Sequence, residues 1–279
     1  MGATEHQGRP GVIGPTKDIP RDQYDRPKII PVDGGKPVGY TRMSTLAKVL
    51  DDKGNLVDWK ARMTAVGLLK SPALMTRLSG LLAGSSLEDP KIKQARKKVV
   101  DEATEAAGAS NAASTGTGLH ALTEALDAGH PLEYVSKADR ERVDAYAEAT
   151  RDYTPLRAEG FVVVDEIRAA GSYDRLWRCP DGKVRVGDLK TGAWDARYPM
   201  GVTAQLAGYA HGKHYDPATG LREDLHPDLD IHSGLLISMP PSGGCEVIEL
   251  DLDLGWAVLM VATKIHEIRK LNAGAYRAN

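Results

Sequence analysis

Between Gly171 and Tyr209 the chain reads GSYDRLWRCPDGKVRVGDLKTGAWDARYPMGVTAQLAGY, a pattern that few folds accommodate. It predicts strand, tight turn, strand and then helix. Pro180, Asp181 and Gly182 supply the turn, Pro by fixing φ and Gly by accepting positive φ. Val184, Val186, Asp188 and Lys190 follow at period two and so share one face of the returning strand. That face begins apolar and ends in a carboxylate and an amine, so the strand leads from a core to a site. On an antiparallel partner strand, Asp174 lies near the charged end.

Two carboxylates and an ammonium at a strand end suit metal-assisted hydrolysis of a phosphodiester. Hard Mg2+ or Mn2+ takes oxygen ligands, here the Asp174 and Asp188 carboxylates with the Leu189 carbonyl. Such an ion lowers the pKa of bound water and stabilises charge on the phosphate. Lys190 is placed to orient that water, to help deprotonate it, or to neutralise phosphate charge. An Asp-x-Lys on a strand is also an ordinary surface ion pair, so the reading rests on several elements occurring in order.

Those elements are Gly116-Thr117-Gly118-Leu119-His120, Gly171-x-x-Asp174, Gly187-Asp188-Leu189-Lys190-Thr191-Gly192 and Gln205-x-x-x-Tyr209. Together they resemble the PD-(D/E)XK nuclease superfamily, most closely its RecB-like exonuclease branch, over roughly residues 110 to 275. The resemblance implies an α/β fold: a PD-(D/E)XK core with a central mixed β-sheet flanked by helices, preceded by an N-terminal helical extension. It implies a DNA nuclease that depends on Mg2+ or Mn2+. Catalytic roles fall on Asp174, Asp188, Lys190, Gln205 and Tyr209, and metal ligation on His120, Asp174, Asp188 and the Leu189 carbonyl. His120 would be a third ligand or would position a water on the ion. Gln205 and Tyr209, one helical turn apart, offer an amide and a phenol to a phosphate or to a flipped-out base edge. Glu159 resembles the acid that opens this region's first strand in related enzymes and would serve a second metal; a surface carboxylate at a strand edge is the simpler account. Trp194 and Tyr198 either stack on an unpaired base or pack in the core.

Composition removes other classes. The chain has 279 residues, 42% apolar and 27% charged, as expected of one large globular domain or a domain with an appendage. No apolar run approaches the roughly 20 residues that span a bilayer, and the N-terminus lacks a basic-then-apolar signal pattern, so a cytoplasmic protein is expected. Only two cysteines occur, Cys179 and Cys245, so the four-cysteine iron–sulfur cluster of some RecB-like nucleases is not expected. Net charge is −2, which argues against a uniformly basic nucleic-acid binder, yet charge is unevenly spread. From Val57 to Val100 nine Lys/Arg face three acids, a net of +6, whereas Asp216 to Asp253 is acidic.

Three regions are expected. Residues 1–40, rich in Gly and Pro, read as an extended or disordered arm. Residues 41–108 read as a basic helical region, with helices starting at Ser44, Asp58, Ser71-Pro72 and Asp89-Pro90. The last begins with Lys91, Lys93, Arg96, Lys97 and Lys98, a basic start that opposes the helix macrodipole. The run is either a solvated face or a set of phosphate contacts, which would steepen the salt dependence of DNA binding. Residues 109–279 read as the core. Its opening Gly108–Gly116 is expected as a small-residue loop, with a helix from about Thr115 that places His120 one turn inside. Further expected elements are a helix over 136–153, a strand buried on both faces at Phe161–Val164, paired strands at 231–239 and 246–252, and a closing helix capped by Asp253.

The expected function is a metal-dependent DNA exonuclease of phage replication or recombination. A non-catalytic DNA-binding or assembly protein on the same fold, or a structure-specific endonuclease, are the alternatives. No helicase motif is present, so a helicase, like a recombinase or single-strand-binding protein, would be a separate chain; an oligomer is open.

Overall fold

The computed structural model describes residues 19–52, 54–83, 88–132, 135–192 and 199–277. In chain order the elements are β1 (Lys28–Ile29), β2 (Val38–Gly39), β3 (Thr41–Arg42), α1 (Met43–Ala47), α2 (Gly54–Lys70), α3 (Pro72–Leu82) and α4 (Pro90–Ala106). There follow α5 (Ala109–Asp127), α6 (Lys137–Ala149), β4 (Thr154–Val164), β5 (Ala169–Arg178), β6 (Val184–Lys190) and α7 (Met200–Ala210). The chain closes with β7 (Lys213–Tyr215), β8 (Arg222–Glu223), β9 (Ser233–Ser238), β10 (Glu246–Asp251) and α8 (Leu252–Ile268). These form two compact units, residues 52–118 and the remainder.

The larger unit is a mixed sheet in the order β10-β9-β6-β5-β4-β7-β8, with β3 added alongside β5. Pairs are antiparallel except β6 with β9 and β3 with β5. The β5–β6 hairpin turns through Gly182 at φ 84°, as its Pro-Asp-Gly requires. Period two then sorts β6: Val184 and Val186 enter one core with α1, α7 and α8, while Leu189 enters the opposite core with α5 and α6. Helices therefore cover both faces, as the resemblance implies.

One break in alternation matters for the site. Tyr173 and Leu176, three residues apart, both lie in the α7-side core, where strict alternation would separate them. Opposite this break, Glu159 adopts φ 48°. Ala158 pairs with Arg175 and Gly160 with Tyr173, which sets Glu159 across from Asp174. The local shift turns Asp174 to the face of β5 that carries Leu176.

Several expectations are corrected. Of the arm expected over 1–40, residues 19–40 are built into the fold; residues 1–18 lie outside the described part. Ile19, Ile29 and Tyr40 are buried with Phe161, Val163, Ala170 and Tyr215. The Tyr215 hydroxyl accepts from Ile30 N (2.9 Å), Arg222 donates to Ile30 O (2.9 Å), and the Tyr40 hydroxyl donates to Asp165 (2.7 Å). Two-residue strands are too short to show a period, which hid them among Gly and Pro. Residues 41–51, expected in the helical region, form β3 and α1 of the larger unit. Residues 109–115, expected as a loop, open α5, because Ala-rich sequence pays little rotamer entropy in a helix. His120 is thus eleven residues into its helix rather than one turn. The closing helix is capped by Asp251, whose side chain accepts from Leu254 N, and Asp253 pairs instead with His232.

In the smaller unit, α2 and α4 approach closely at Gly67, where an added Cβ would lie 1.6 Å from Ala103 O. Thr64 and Thr104 hydroxyls meet at 2.9 Å beside this crossing. Leu74, Val99 and Ala103 are its buried apolar residues. Asp89 caps α4 as expected, accepting from Lys91 N (2.8 Å). Lys91, Lys93, Lys97 and Lys98 are exposed and Arg96 is half-buried. Among the described residues no helix is long and apolar enough to cross a membrane.

If residues 19–40 are core rather than tail, Ile29→Ala should lower the unfolding free energy by about 2–5 kcal/mol, the cost of emptying a buried aliphatic site. Urea unfolding followed by circular dichroism measures it. A change within about 0.5 kcal/mol, typical of exposed positions, would return this segment to the status of an arm.

Candidate active site at the divergence of two strands

The β5–β6 ladder ends at Arg175 opposite Gly187. Beyond that pair the strands part, and the Asp174 carboxylate enters the gap: its Oδ2 accepts from Leu189 N (2.8 Å). A side chain thus replaces a strand neighbour, satisfying an amide that would otherwise be orphaned. β6 continues beyond the gap on its other edge, paired to β9 through Lys190 and Ser238. Arg142 fixes that edge by donating to Thr191 O (3.1 Å) and Met239 O (2.7 Å).

Asp188 and Lys190 lie where the period of β6 puts them, on the Asp174 side. Asp188 is 2% exposed. Its Oδ1 accepts from Gln205 Nε2 (3.2 Å), and the same Nε2 donates to the Tyr209 hydroxyl (3.1 Å). Lys190 Nζ is ion-paired to Asp188 Oδ2 and remains partly open to solvent. His120 reaches in from α5, with Nδ1 3.7 Å from Asp174 Oδ2. The structure therefore gathers His120, Asp174, Asp188, Leu189, Lys190, Gln205 and Tyr209 from four elements. Leu189 contributes its backbone, since its side chain is buried among Leu119, Trp177 and Ile237.

Gly171 has a steric role here. A Cβ at that position would stand 3.1 Å from the Tyr209 ring and 3.3 Å from its hydroxyl. The Gly of Gly171-x-x-Asp174 is thus the seat of the Tyr of Gln205-x-x-x-Tyr209. Burial, with Asp188 and Asp174 nearby, pushes the Tyr209 phenol well above its ordinary range, so it stays neutral. The Asp188 carboxyl is raised to about 6, first by burial and then by the Asp174 charge, against the opposing pull of Lys190.

One acidic residue was missed. Glu124 is one turn beyond His120 on the same helix. Its carboxyl is raised by burial, with Arg175 opposing and Glu159 adding repulsion. The spacing His120-x-x-x-Glu124 was the available signal, and a sequence Glu on a helix carries none of this without knowing that Glu159 faces it. Trp194 and Tyr198 lie outside the described residues. Lys91, Lys93, Arg96, Lys97 and Lys98 belong to the other compact unit, and the structure does not bring them into this set.

Asp174, Asp188 and His120 are the donors here that could hold a hard divalent cation. His120 Nδ1 lies 3.7 Å from Asp174 Oδ2, and the buried Asp188 Oδ2 is met by the Lys190 ammonium; among the described residues no three His, Cys, Asp or Glu side chains are already drawn together as a metal-holding group. A cation at this point would ease the ionisation of Asp188. No family model matches the chain, and no curated protein matches it.

The raised Asp188 carboxyl has a stability consequence. Its ordinary value is 3.8, so ionisation costs nothing below about pH 4 and the penalty grows as pH rises through about 6. In chelator, Asp188→Asn should stabilise the protein by on the order of 1–3 kcal/mol above pH 6 and not at pH 4. Thermal unfolding of both forms across pH 4–8 measures this. A variant equally or less stable throughout would show that Asp188 is not held against its charge.

Proposed function

We propose that the chain is a divalent-metal-dependent deoxyribonuclease on a PD-(D/E)XK core, acting as an exonuclease on linear DNA. The observation that carries the reading is the convergence of Asp174, Asp188 and Lys190 at one parting of strands, with His120 above and Gln205–Tyr209 behind. The sheet order, with a meander β4–β5–β6 followed by α7 and a strand parallel to β6, fits that core.

Asp174, Asp188 and His120 would hold Mg2+ or Mn2+, with the Leu189 carbonyl on the same strand end. Bound there, the ion supplies Lewis-acid stabilisation of charge on the phosphoryl oxygens. The remaining work falls to the protein. Lys190 Nζ, partly open to solvent, neutralises the non-bridging oxygens and orients the attacking water, whose proton it can relay. Gln205 Nε2 holds Asp188 Oδ1, which fixes the carboxylate's rotamer, while Oδ2 meets Lys190 Nζ. Tyr209, neutral and buried, fixes Gln205 in turn. On the helical unit, the exposed Lys91, Lys93, Lys97 and Lys98, with Arg96, are offered to backbone phosphates. A role in phage DNA replication or recombination, alongside a recombinase, single-strand-binding protein or helicase as separate chains, belongs to the same proposal.

The test uses purified protein with Mn2+ or Mg2+ on linear, nicked, closed circular and single-stranded DNA. Linear DNA should shorten from its ends, EDTA should stop it, and Lys190→Ala or Asp188→Ala should lower the rate on the order of 10²-fold or more. Cutting of closed circles would favour a structure-specific endonuclease. DNA retention without products in any metal would favour a non-catalytic DNA-binding role. Full activity in both variants would remove the site.

A further inference from the structure

Arg175 follows Asp174 in sequence and points to the opposite side of the sheet. Its side chain is 1% exposed, an unusual place for a permanent charge. The guanidinium uses its donors on residues around the site. NH1 donates to the Asp174 carbonyl (2.9 Å) and Glu124 Oε1 (3.3 Å), and NH2 to Thr123 Oγ1 (2.8 Å). Nε meets Asp127 Oδ2 (2.8 Å), which also accepts from the Tyr146 hydroxyl (2.7 Å). Thr123 Oγ1 in turn donates to the His120 carbonyl (2.9 Å).

The contacts share a geometry. Thr123, Glu124 and Asp127 lie on the turns of α5 that follow His120, and the fourth partner is the backbone of Asp174 itself. One planar fork therefore spans the two elements whose side chains meet at His120 Nδ1 and Asp174 Oδ2. Apolar contact of Leu119 with Trp177 and Leu189 holds α5 on the sheet but permits sliding; four directed contacts from a rigid fork do not. A buried ion pair contributes little net stability for the desolvation it incurs, so its return lies in fixing register.

We propose that Arg175 is a positioning residue for the metal-ligand set: it locks the turn of α5 that carries His120 against the strand end that carries Asp174. This rests on the metal-dependent reading above. Glu124 is tied to the same guanidinium.

A built-in control exists. Arg185, 7% exposed, makes comparable contacts at the far end of β6, to Asp181 (2.8 Å) and Asp230 (3.2 Å), remote from His120 in the hairpin. Mn2+ affinity, read from the free-ion paramagnetic signal, should weaken about tenfold in Arg175→Lys, within the range for residues that orient ligands. Hydrogen exchange should quicken over 119–127, and cleavage should recover at saturating Mn2+. Arg185→Lys should lower Tm yet bind Mn2+ within twofold of wild type. Should Arg175→Lys not fold, Thr123→Val, which removes one acceptor, carries the test, with weaker Mn2+ binding by at least twofold. Wild-type affinity in the folded Arg175 variant (or in Thr123→Val where that stands in), or equal weakening in Arg185→Lys, overturns the inference while metal binding itself survives. A wild-type chain that binds no Mn2+ overturns both.

Discussion

The structure depends on a conflict it does not resolve: a carboxylate buried to 2% exposure beside a second carboxylate. Removing charge from water is expensive, and like charges together compound the cost. The chain limits the cost with three neutral or cationic neighbours: Leu189 N–H on Asp174, Gln205 on Asp188 Oδ1 and Lys190 on Asp188 Oδ2. The first of these would not be geometrically available in an unbroken sheet. The parting of β5 from β6 frees the amide, and the change of face at Tyr173–Asp174 aims the carboxylate at it. Local strain is carried opposite, by Glu159 at φ 48°.

The rest of the larger unit serves to hold that parting open at a fixed width. Gly171 lets Tyr209 lie flat against β5, and Gly208, where a Cβ would strike Met43 Sδ at 2.2 Å, lets α7 sink onto α1. Arg142 and the Met239 N–H bond to Lys190 O (2.8 Å) pin the β6 end from its other side. At the hairpin's far end, Arg185 gathers Asp181 and Asp230, and the Asp230 carboxyl, despite burial, is held at about 2 by Lys183, Ser233 and the His232 amide. The two ends of β6 thus use buried charge differently: matched and stabilised at the turn, mismatched at the site. Folding energy accumulates at the turn and is given up at the candidate site.

Legibility in the sequence followed the length of the pattern. The β5–β6 hairpin, its turn and the face shared by Asp188 and Lys190 were readable because seven residues of alternation leave little freedom. The helix of Gln205 and Tyr209 was expected from the order of the motifs rather than from a period, since α7 is buried along most of its length. What failed was short or compositionally bland. Residues 19–40 enter the core through isolated residues, Ile29 above all, on strands of two residues. Residues 109–115 look like a loop by their small side chains, yet Ala, Ser and Thr without Pro offer no reason to stop a helix. Arg175 and Glu124 were invisible for a different reason: their meaning is a set of contacts across 51 residues of chain, which no local period encodes.

The charge distribution constrains how a polyanion could reach such a pocket. Asp174 and Asp188, with Glu124 and Glu159 close by, outnumber Lys190, and the Arg175 guanidinium is committed beneath the sheet. At the distances of first encounter, a phosphate backbone meets a field that the site itself does not make attractive. For the proposed DNA substrate, attraction would have to come from elsewhere on the chain, and with a net charge of −2 it cannot come from the average. The nine Lys/Arg between Val57 and Val100 are a concentrated source in the sequence, and two of them, Lys91 and Lys93, stand in the first turn of α4 against the helix macrodipole, at a cost to that helix. A solvated face would achieve solubility more cheaply with acids in the first turn. That the chain keeps lysines there instead is the electrostatic argument that, in the function proposed above, long-range capture would fall to the helical unit and chemistry to the sheet.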